Sequence, residues 1–136
     1  MRIVRFVPLL VLAIVGFAVQ PADGVLQFYK VFESEYLADH PDQEFVTLVK
    51  KPTNRCFVCH QGKKRTNRNA FGQPLAELLD AKQDARDKEK IASALKEVVA
   101  MHVDADDESS ETFRDRIAAS KWPGGELEDL KQEPAE

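Results

Sequence analysis

The feature that most constrains this chain is the run Cys56-Phe57-Val58-Cys59-His60. Its two thiols are three positions apart, so one helical turn brings them to the same side of the backbone, and an imidazole follows directly. The chain has 136 residues and only these two cysteines. These five residues therefore place two sulfur atoms and one imidazole close together, where one ligand could contact all three.

A haem group matches this arrangement. Two thiols can form thioether bonds to the two vinyl groups of a haem, and the C-x-x-C-H spacing is a signature of such attachment. The adjacent imidazole then binds the haem iron as its proximal ligand. We therefore predict one covalent haem c, attached through Cys56 and Cys59, with His60 on the iron.

Two alternatives without haem use the same residues. Cys56 and Cys59 can form a short-loop disulfide, or they can bind zinc together with His60 and a fourth donor. Structural zinc sites usually space their ligands in two separated pairs, which this sequence does not show. A thioredoxin-like dithiol would require a βαβ context, which a helical pattern does not provide.

The N-terminus has the pattern of a targeting segment. Arg2 and Arg5 supply positive charge, residues 7–19 are almost uninterruptedly apolar, and small residues follow as far as Gly24. This pattern predicts a signal peptide over residues 1–24 and a periplasmic or otherwise extracytoplasmic location for the rest. The alternative is an uncleaved anchor, because the apolar run approaches the roughly 17–25 residues that span a bilayer. Only in that case would the chain contact a membrane.

Apolar residues recur at helical spacing through the remaining sequence, which predicts an all-α fold. We expect one domain over residues 25–125, followed by a polar, loosely ordered C-terminal tail over residues 126–136. The predicted helices cover residues 25–36, 44–50, 74–79, 87–102 and a stretch from Ser109 or Ser110 to about residue 120. Asp42 is placed to cap the second of these helices, and Asp84 or Asp87 lies near the start of the fourth.

An iron bound by His60 has a second axial position to fill or leave open. His102 falls on the apolar face of the helix predicted over residues 87–102, and Met101 lies near the edge of that face. A methionine ligand raises the reduction potential, a second imidazole leaves it lower, and an open site admits small ligands. The sequence leaves these outcomes open, with His40 as a weaker candidate.

Shortly after the motif come four basic residues, Lys63, Lys64, Arg65 and Arg68, in a chain whose net charge is −4. The overall charge argues against general nucleic-acid binding. The local excess of positive charge between Lys63 and Arg68 predicts a docking patch for an acidic redox partner, because charges at the rim of an interface steer encounters. A solvated loop and neutralisation of the haem propionates are the alternatives.

The motif resembles that of c-type cytochromes. More narrowly, the chain is similar to small exported bacterial proteins with a cytochrome c-like domain. The similar segments run from Cys56 to Arg65, from Asn69 to Gly72, from Thr112 to Ile117 and from Pro123 to Gly125. The resemblance covers most of residues 50–125 and implies an all-helical domain with one covalent haem, attached through Cys56 and Cys59 and ligated by His60.

The chain also departs from the ordinary pattern of the resemblance. Small cytochromes c usually carry the motif near the end of their first helix and a ligating methionine in a later loop. Here a whole extra helix is predicted before the motif, and Met101 lies in or at the end of a helix. We therefore do not expect the standard topology or a histidine–methionine pair to carry over directly.

The sequence thus predicts an electron carrier and not an enzyme. A single haem would cycle between its ferric and ferrous states, while the protein supplies ligands, dielectric and orientation. The alternative within the haem class is an open sixth site that binds a gas or a peroxide. A peroxidase would need a distal acid–base residue, and no histidine–arginine pair stands out from the spacing. The sequence contains no Gly-rich phosphate loop and no nucleophile elbow.

Overall fold

The computed structural model describes residues 23–135, and within this range the fold is helical, as predicted. The signal segment predicted over residues 1–24 therefore lies almost entirely outside the described residues. The elements are α1 (Asp23–Phe32), a π-helical turn (Glu33–Leu37), α2 (Gln43–Lys50), a 3₁₀ turn (Arg55–Val58), α3 (Gly72–Leu78), α4 (Lys88–Val99), α5 (Phe113–Ala118) and α6 (Leu127–Leu130). Over the described range, β-pairing is limited to two isolated bridges.

Aspartate side chains fix the start of two helices. Asp42 accepts hydrogen bonds from the backbone N–H groups of Glu44 (3.0 Å) and Phe45 (2.9 Å), and Asp87 accepts one from Lys90 (2.9 Å). These bonds satisfy N–H groups that have no partner inside the helix. The predictions of a helix over residues 44–50 and of a helix beginning near Asp87 are confirmed. None of the described helices is both long and apolar enough to cross a membrane.

The first helix changes from α-helical to π-helical geometry at its C-terminal end. The sequence predicts a regular helix to Tyr36, but the last turn is π-helical and Leu37 is buried while Tyr36 is only half-buried. In a π-turn the backbone bonds span five residues, so Leu37 aligns with Phe32, which lies five positions earlier. The Tyr36 ring still contacts Phe32, with 5.5 Å between the ring centroids.

The core lies between α1, α3, α4 and α5. Helix α4 contributes its fully buried face, with Ile91, Leu95 and Val98 at most 1% exposed. Phe71, which precedes α3, is completely buried and meets Phe32 and Phe113 edge-on at centroid distances of 5.8 and 5.3 Å. Three segments that are distant in the sequence therefore share one aromatic cluster.

The fifth helix begins later than the sequence predicts. Its N-cap is Thr112, whose hydroxyl accepts from the backbone N–H of Asp115, while the Asp115 carboxylate accepts from the backbone N–H of Thr112. This reciprocal capping box satisfies N–H groups at the helix start better than Ser109 or Ser110 could from within the preceding acidic loop. The cap predicted at Ser109 or Ser110 is wrong. The buried positions predicted for this helix, Phe113 and Ile117, are confirmed.

The C-terminal tail contains an ordered element. Residues 127–130 form α6, and Leu130 is only 3% exposed. The carbonyl of Leu130 accepts a hydrogen bond from the backbone N–H of Gly62 at 2.8 Å. The expectation of a loosely ordered tail is wrong for this stretch, because a single buried leucine and a backbone bond attach it to the loop after the motif.

The aromatic cluster generates a prediction about stability. Phe71→Ala is expected to lower the free energy of unfolding by about 3–5 kcal/mol, because it removes a ring from a closely packed core and leaves a cavity. Urea denaturation measures the loss. Phe28→Ala is the matched control: the same atoms are removed from a half-buried ring, so its cost should be clearly smaller. Equal losses for the two variants would contradict the central position of Phe71.

Candidate functional site

Cys56 lies in the 3₁₀ turn (Arg55–Val58), Cys59 directly follows it, and the end of α2 positions this turn. The buried side chain of Asn54 donates to the carbonyl of Leu48 in α2 at 3.0 Å, and the carbonyl of Asn54 accepts from Phe57 at 2.8 Å. The carbonyl of Cys56 accepts from the backbone N–H of His60 at 2.9 Å. Because side chains at i and i+3 eclipse in a 3₁₀ turn, this geometry favours both thiols on one side.

One buried side-chain amide holds the carbonyls of this turn. The Nδ2 group of Asn69 lies 2.8 Å from the carbonyl oxygen of Phe57, 3.2 Å from that of Val58 and 3.3 Å from that of His60. Its two hydrogens are therefore shared among three acceptors. The backbone N–H of Asn69 donates to the carbonyl of Cys59 at 3.1 Å. Asn69 thus satisfies four consecutive carbonyls of the motif, from Phe57 to His60.

The other end of the same amide organises the start of α3. Its Oδ1 atom accepts from the backbone N–H groups of Phe71 (3.1 Å) and Gly72 (2.9 Å). Gly72 packs directly on the motif, since a Cβ atom there would lie 1.9 Å from the carbonyl oxygen of Cys59. Gly124 packs on the opposite side, where a Cβ atom would lie 2.2 Å from the Asn69 amide. The segments around Asn69, Gly72 and Gly124 therefore converge on the motif.

His60 carries a neutral imidazole at neutral pH. Its Nδ1 atom is buried and has no hydrogen-bond partner among residues 23–135. Burial lowers the pKa of His60 below 6.5, partly offset by a hydrogen bond with the backbone of Asn67, and the cations Arg68 and Arg65 lower it further. A neutral imidazole with an unpartnered nitrogen is the form that binds a metal ion.

Both thiols are free, and burial keeps the Cys59 thiol in its neutral form. Both cysteines are half-buried as residues, and they are not joined to each other. Burial and the neighbouring Cys56 raise the pKa of the Cys59 thiol to about 12, so this thiol does not ionise at neutral pH. A redox-active dithiol or a zinc ligand requires the thiolate, whereas a thioether sulfur carries no charge.

The donor set fits a covalent haem better than a bare metal ion. Two thiols on one turn and a neutral imidazole are the groups that such a haem needs from the protein. Over the described part of the chain, no cluster of three or more histidine, cysteine or acidic side chains is arranged to hold a metal ion.

The candidate residues for the second axial position differ in their surroundings. His102 does not lie on α4, because the helix ends at Val99 and residues 101–103 pair with residues 111–113 instead. The prediction that places His102 on the helix face is wrong. Its Nδ1 atom lies 2.6 Å from the carbonyl of Ser110, so Nδ1 carries the proton and Nε2 keeps its lone pair.

The other two candidate ligands, His40 and Met101, make contacts within the core. His40 is buried, its Nε2 lies 2.8 Å from the carbonyl of Ile117, and its Nδ1 accepts from the backbone of Asp42 at 3.1 Å. It is therefore a core histidine that connects the segment before α2 to α5. Met101 is half-buried against the core, and its carbonyl accepts from the backbone N–H of Phe113 at 3.1 Å.

The basic loop after the motif contacts the C-terminal tail. Its backbone pairs through an isolated bridge between His60 and Arg68. The Glu133 carboxylate accepts from the backbone N–H of Lys63 at 2.9 Å and from the Asn67 side chain at 3.0 Å. The four basic side chains of this loop are exposed.

Sequence reasoning missed two residues of this site. Asn69 carries a weak signal, since asparagine is common in turns, but nothing local indicates that it reaches back to the motif. Glu133 carries no signal, because it is one of many acidic residues in a polar tail. Shallow surface cavities elsewhere, including one of about 650 Å³ lined by Tyr36 and Arg114, include no residue of the motif.

Comparisons of this chain with protein-family models, with curated proteins and with solved structures find no match.

The Asn69 amide generates a prediction about stability. Asn69→Ala leaves several buried carbonyls without a donor, and each such group costs about 1–3 kcal/mol. We expect the free energy of unfolding to fall by about 3 kcal/mol or more in chemical denaturation. Asn67→Ala is the matched control, since it removes the same atoms from a side chain with one exposed hydrogen bond and should cost less than about 1 kcal/mol. A small loss for Asn69→Ala would contradict its role.

The buried imidazole generates a prediction about pH. The lowered pKa of His60 means that the unfolded chain binds a proton more readily than the folded protein, so stability present above pH 6.5 is lost as the pH falls through the folded-state pKa. For the haem-free protein, urea denaturation between about pH 7.5 and about pH 5 should show a smaller loss in His60→Gln than in the unaltered chain. Equal losses would contradict the burial of His60.

Proposed function

We propose that this protein is an extracytoplasmic electron carrier of the c-type cytochrome kind, with one covalent haem. Cys56 and Cys59 would form the thioether bonds, and His60 would bind the iron. The observation that carries the proposal is the state of His60. It is a half-buried, neutral imidazole whose buried Nδ1 atom has no partner among the described residues, and it directly follows the two thiols of the motif.

A bound haem would supply a one-electron couple between ferric and ferrous iron. The protein contributes the rest. Cys56 and Cys59 would fix the position of the macrocycle, and burial disfavours the charged form of His60, which would keep a ring nitrogen available for the iron. Asn69 holds the carbonyls around these residues, which keeps the turn rigid. A rigid turn limits the rearrangement that accompanies each electron transfer.

The chemistry of the thiols supports a haem over a catalytic dithiol. The pKa of Cys59 at about 12 disfavours the thiolate that a catalytic dithiol requires. Thioether formation adds the S–H group across a vinyl double bond, so that sulfur binds one carbon and the hydrogen the other, and it leaves a neutral sulfur that burial tolerates. The buried environment therefore favours the product of haem attachment over an ionised thiol.

Among the candidates for the second axial ligand, the hydrogen bonds favour His102. A ligating histidine usually donates its other ring N–H to a carbonyl or a carboxylate, and His102 donates Nδ1–H to Ser110. His40 uses both nitrogens inside the core. A haem with histidine on both faces would have a lower potential than one with methionine. If the Nε2 atom of His102 does not bind the iron, the sixth site is open to a gas or a peroxide.

Covalent attachment provides the test. Protein produced with a haem-maturation system is expected to show a Soret band that stays with the polypeptide through acid–acetone extraction, because thioether bonds do not dissociate. The double variant Cys56→Ser/Cys59→Ser should lose this band, and His60→Gln should lose the reduced spectrum of the parent protein. The ferric spectrum of the parent reports the axial ligands.

A control and a contrary outcome complete this experiment. Thr47→Val changes an exposed hydroxyl on α2 and should leave the spectrum and the extraction result unchanged. Matured protein that is colourless, with two free thiols or with bound zinc in elemental analysis, would overturn the proposal.

A further inference from the structure

The loop after the motif forms a cradle for a carboxylate. We define the cradle as residues 62–67. In the structure it holds the Glu133 side chain, which accepts from the backbone N–H of Lys63 (2.9 Å) and from the amide of Asn67 (3.0 Å). Gly62 has a φ of +67° and leaves no room for a Cβ atom, which would lie 2.6 Å from a Glu133 oxygen. The left-handed backbone of Gly62 directly precedes the Lys63 N–H group that donates to this carboxylate.

The cations of the loop are not used by this contact. Lys63, Lys64, Arg65 and Arg68 are exposed, and none of them forms an ion pair with a residue in the described range, where the six ion pairs lie elsewhere. Glu133 is therefore held by neutral donors while the four cations face solvent. In a chain with a net charge of −4, this surface remains complementary to a partner that carries several carboxylates.

Glu133 can leave without unfolding the tail. The tail is attached mainly at Leu130, which is buried and whose carbonyl accepts from Gly62 at 2.8 Å. Beyond Leu130, the contacts of Glu133 with the loop are exposed hydrogen bonds. Exposed hydrogen bonds exchange readily with water or with another acceptor, because their net stabilisation is small.

We propose that Glu133 is an internal competitor: it occupies the carboxylate cradle in the free protein, and a carboxylate on an acidic redox partner replaces it on docking. The cradle begins two residues after His60, so a partner bound there would lie next to the proposed haem. The inference rests on the proposed function only in calling the partner a redox protein. The cradle and its competitor are properties of the polypeptide.

Competition predicts that removal of Glu133 strengthens the binding of an acidic probe. The experiment uses the full-length matured protein and a fluorescently labelled oligoglutamate peptide, with affinity read from fluorescence anisotropy at low ionic strength. Glu133→Gln should bind the peptide roughly threefold to tenfold more tightly than the unaltered protein, which corresponds to about 0.7–1.4 kcal/mol. Added salt should weaken binding in both, because screening acts on exposed charges.

A matched variant separates competition from a general change of charge. Glu128→Gln removes the same charge from the same tail, but Glu128 pairs with Lys131 and not with the loop. It should leave the affinity close to that of the unaltered protein. If Glu128→Gln strengthens binding as much as Glu133→Gln does, or if neither variant strengthens it, Glu133 is not a competitor and the proposal is overturned.

A second pair of variants tests the location of the site. Lys63→Gln/Lys64→Gln should weaken peptide binding severalfold, whereas Lys82→Gln/Lys88→Gln, which removes two exposed cations elsewhere, should not. Similar losses in both pairs would show nonspecific attraction and overturn the proposal. Absence of covalent haem in the same preparation would count against the proposed function alone, since peptide binding is measured independently of the haem.

Discussion

The side-chain amide of Asn69 is the interaction on which the rest of this structure depends. It is almost fully buried and uses both of its ends, with the nitrogen on the carbonyls of the motif and the oxygen on the N–H groups that begin α3. A buried amide is stabilising only when its hydrogen-bonding groups are satisfied, and an unsatisfied one is costly. Gly72 packs against the Cys59 carbonyl and Gly124 packs against the Asn69 amide, and neither position has room for a Cβ atom. The motif is therefore held by Asn69 and by the close packing of these two glycines.

This polar unit also connects the motif to the apolar core. Two residues after Asn69, the ring of Phe71 enters the cluster with Phe32 of α1 and Phe113 of α5. The helices are short, between four and twelve residues, and helices of this length are marginal in isolation. Their stability must come from packing, so the position of the cysteines and the integrity of the core are linked through a few consecutive residues.

The sequence predicts those parts of the structure that depend on local interactions. Helices α2 and α4 begin where Asp42 and Asp87 can cap them, because the cap and the helical periodicity lie within one segment. The end of α4 was not predictable in this way: no glycine or proline follows Val99, and the chain turns because residues 101–103 pair with residues near Thr112. The roles of Asn69 and Glu133 also depend on contacts between distant segments. The motif itself was identifiable because its chemistry is contained in five consecutive residues.

Burial and charge are separated across the site. On the inner side, burial favours the neutral forms of the His60 imidazole and the Cys59 thiol, which is compatible with the proposed haem attachment. On the outer side, within a few residues, exposed cations surround a cradle that already binds a carboxylate. The two sides impose different requirements, because the cations that steer a partner must be exposed, whereas burial further disfavours the charged forms of His60 and Cys59. Gly62, with its left-handed backbone, lies at the boundary, and it turns the chain from the buried imidazole to the exposed loop within two residues.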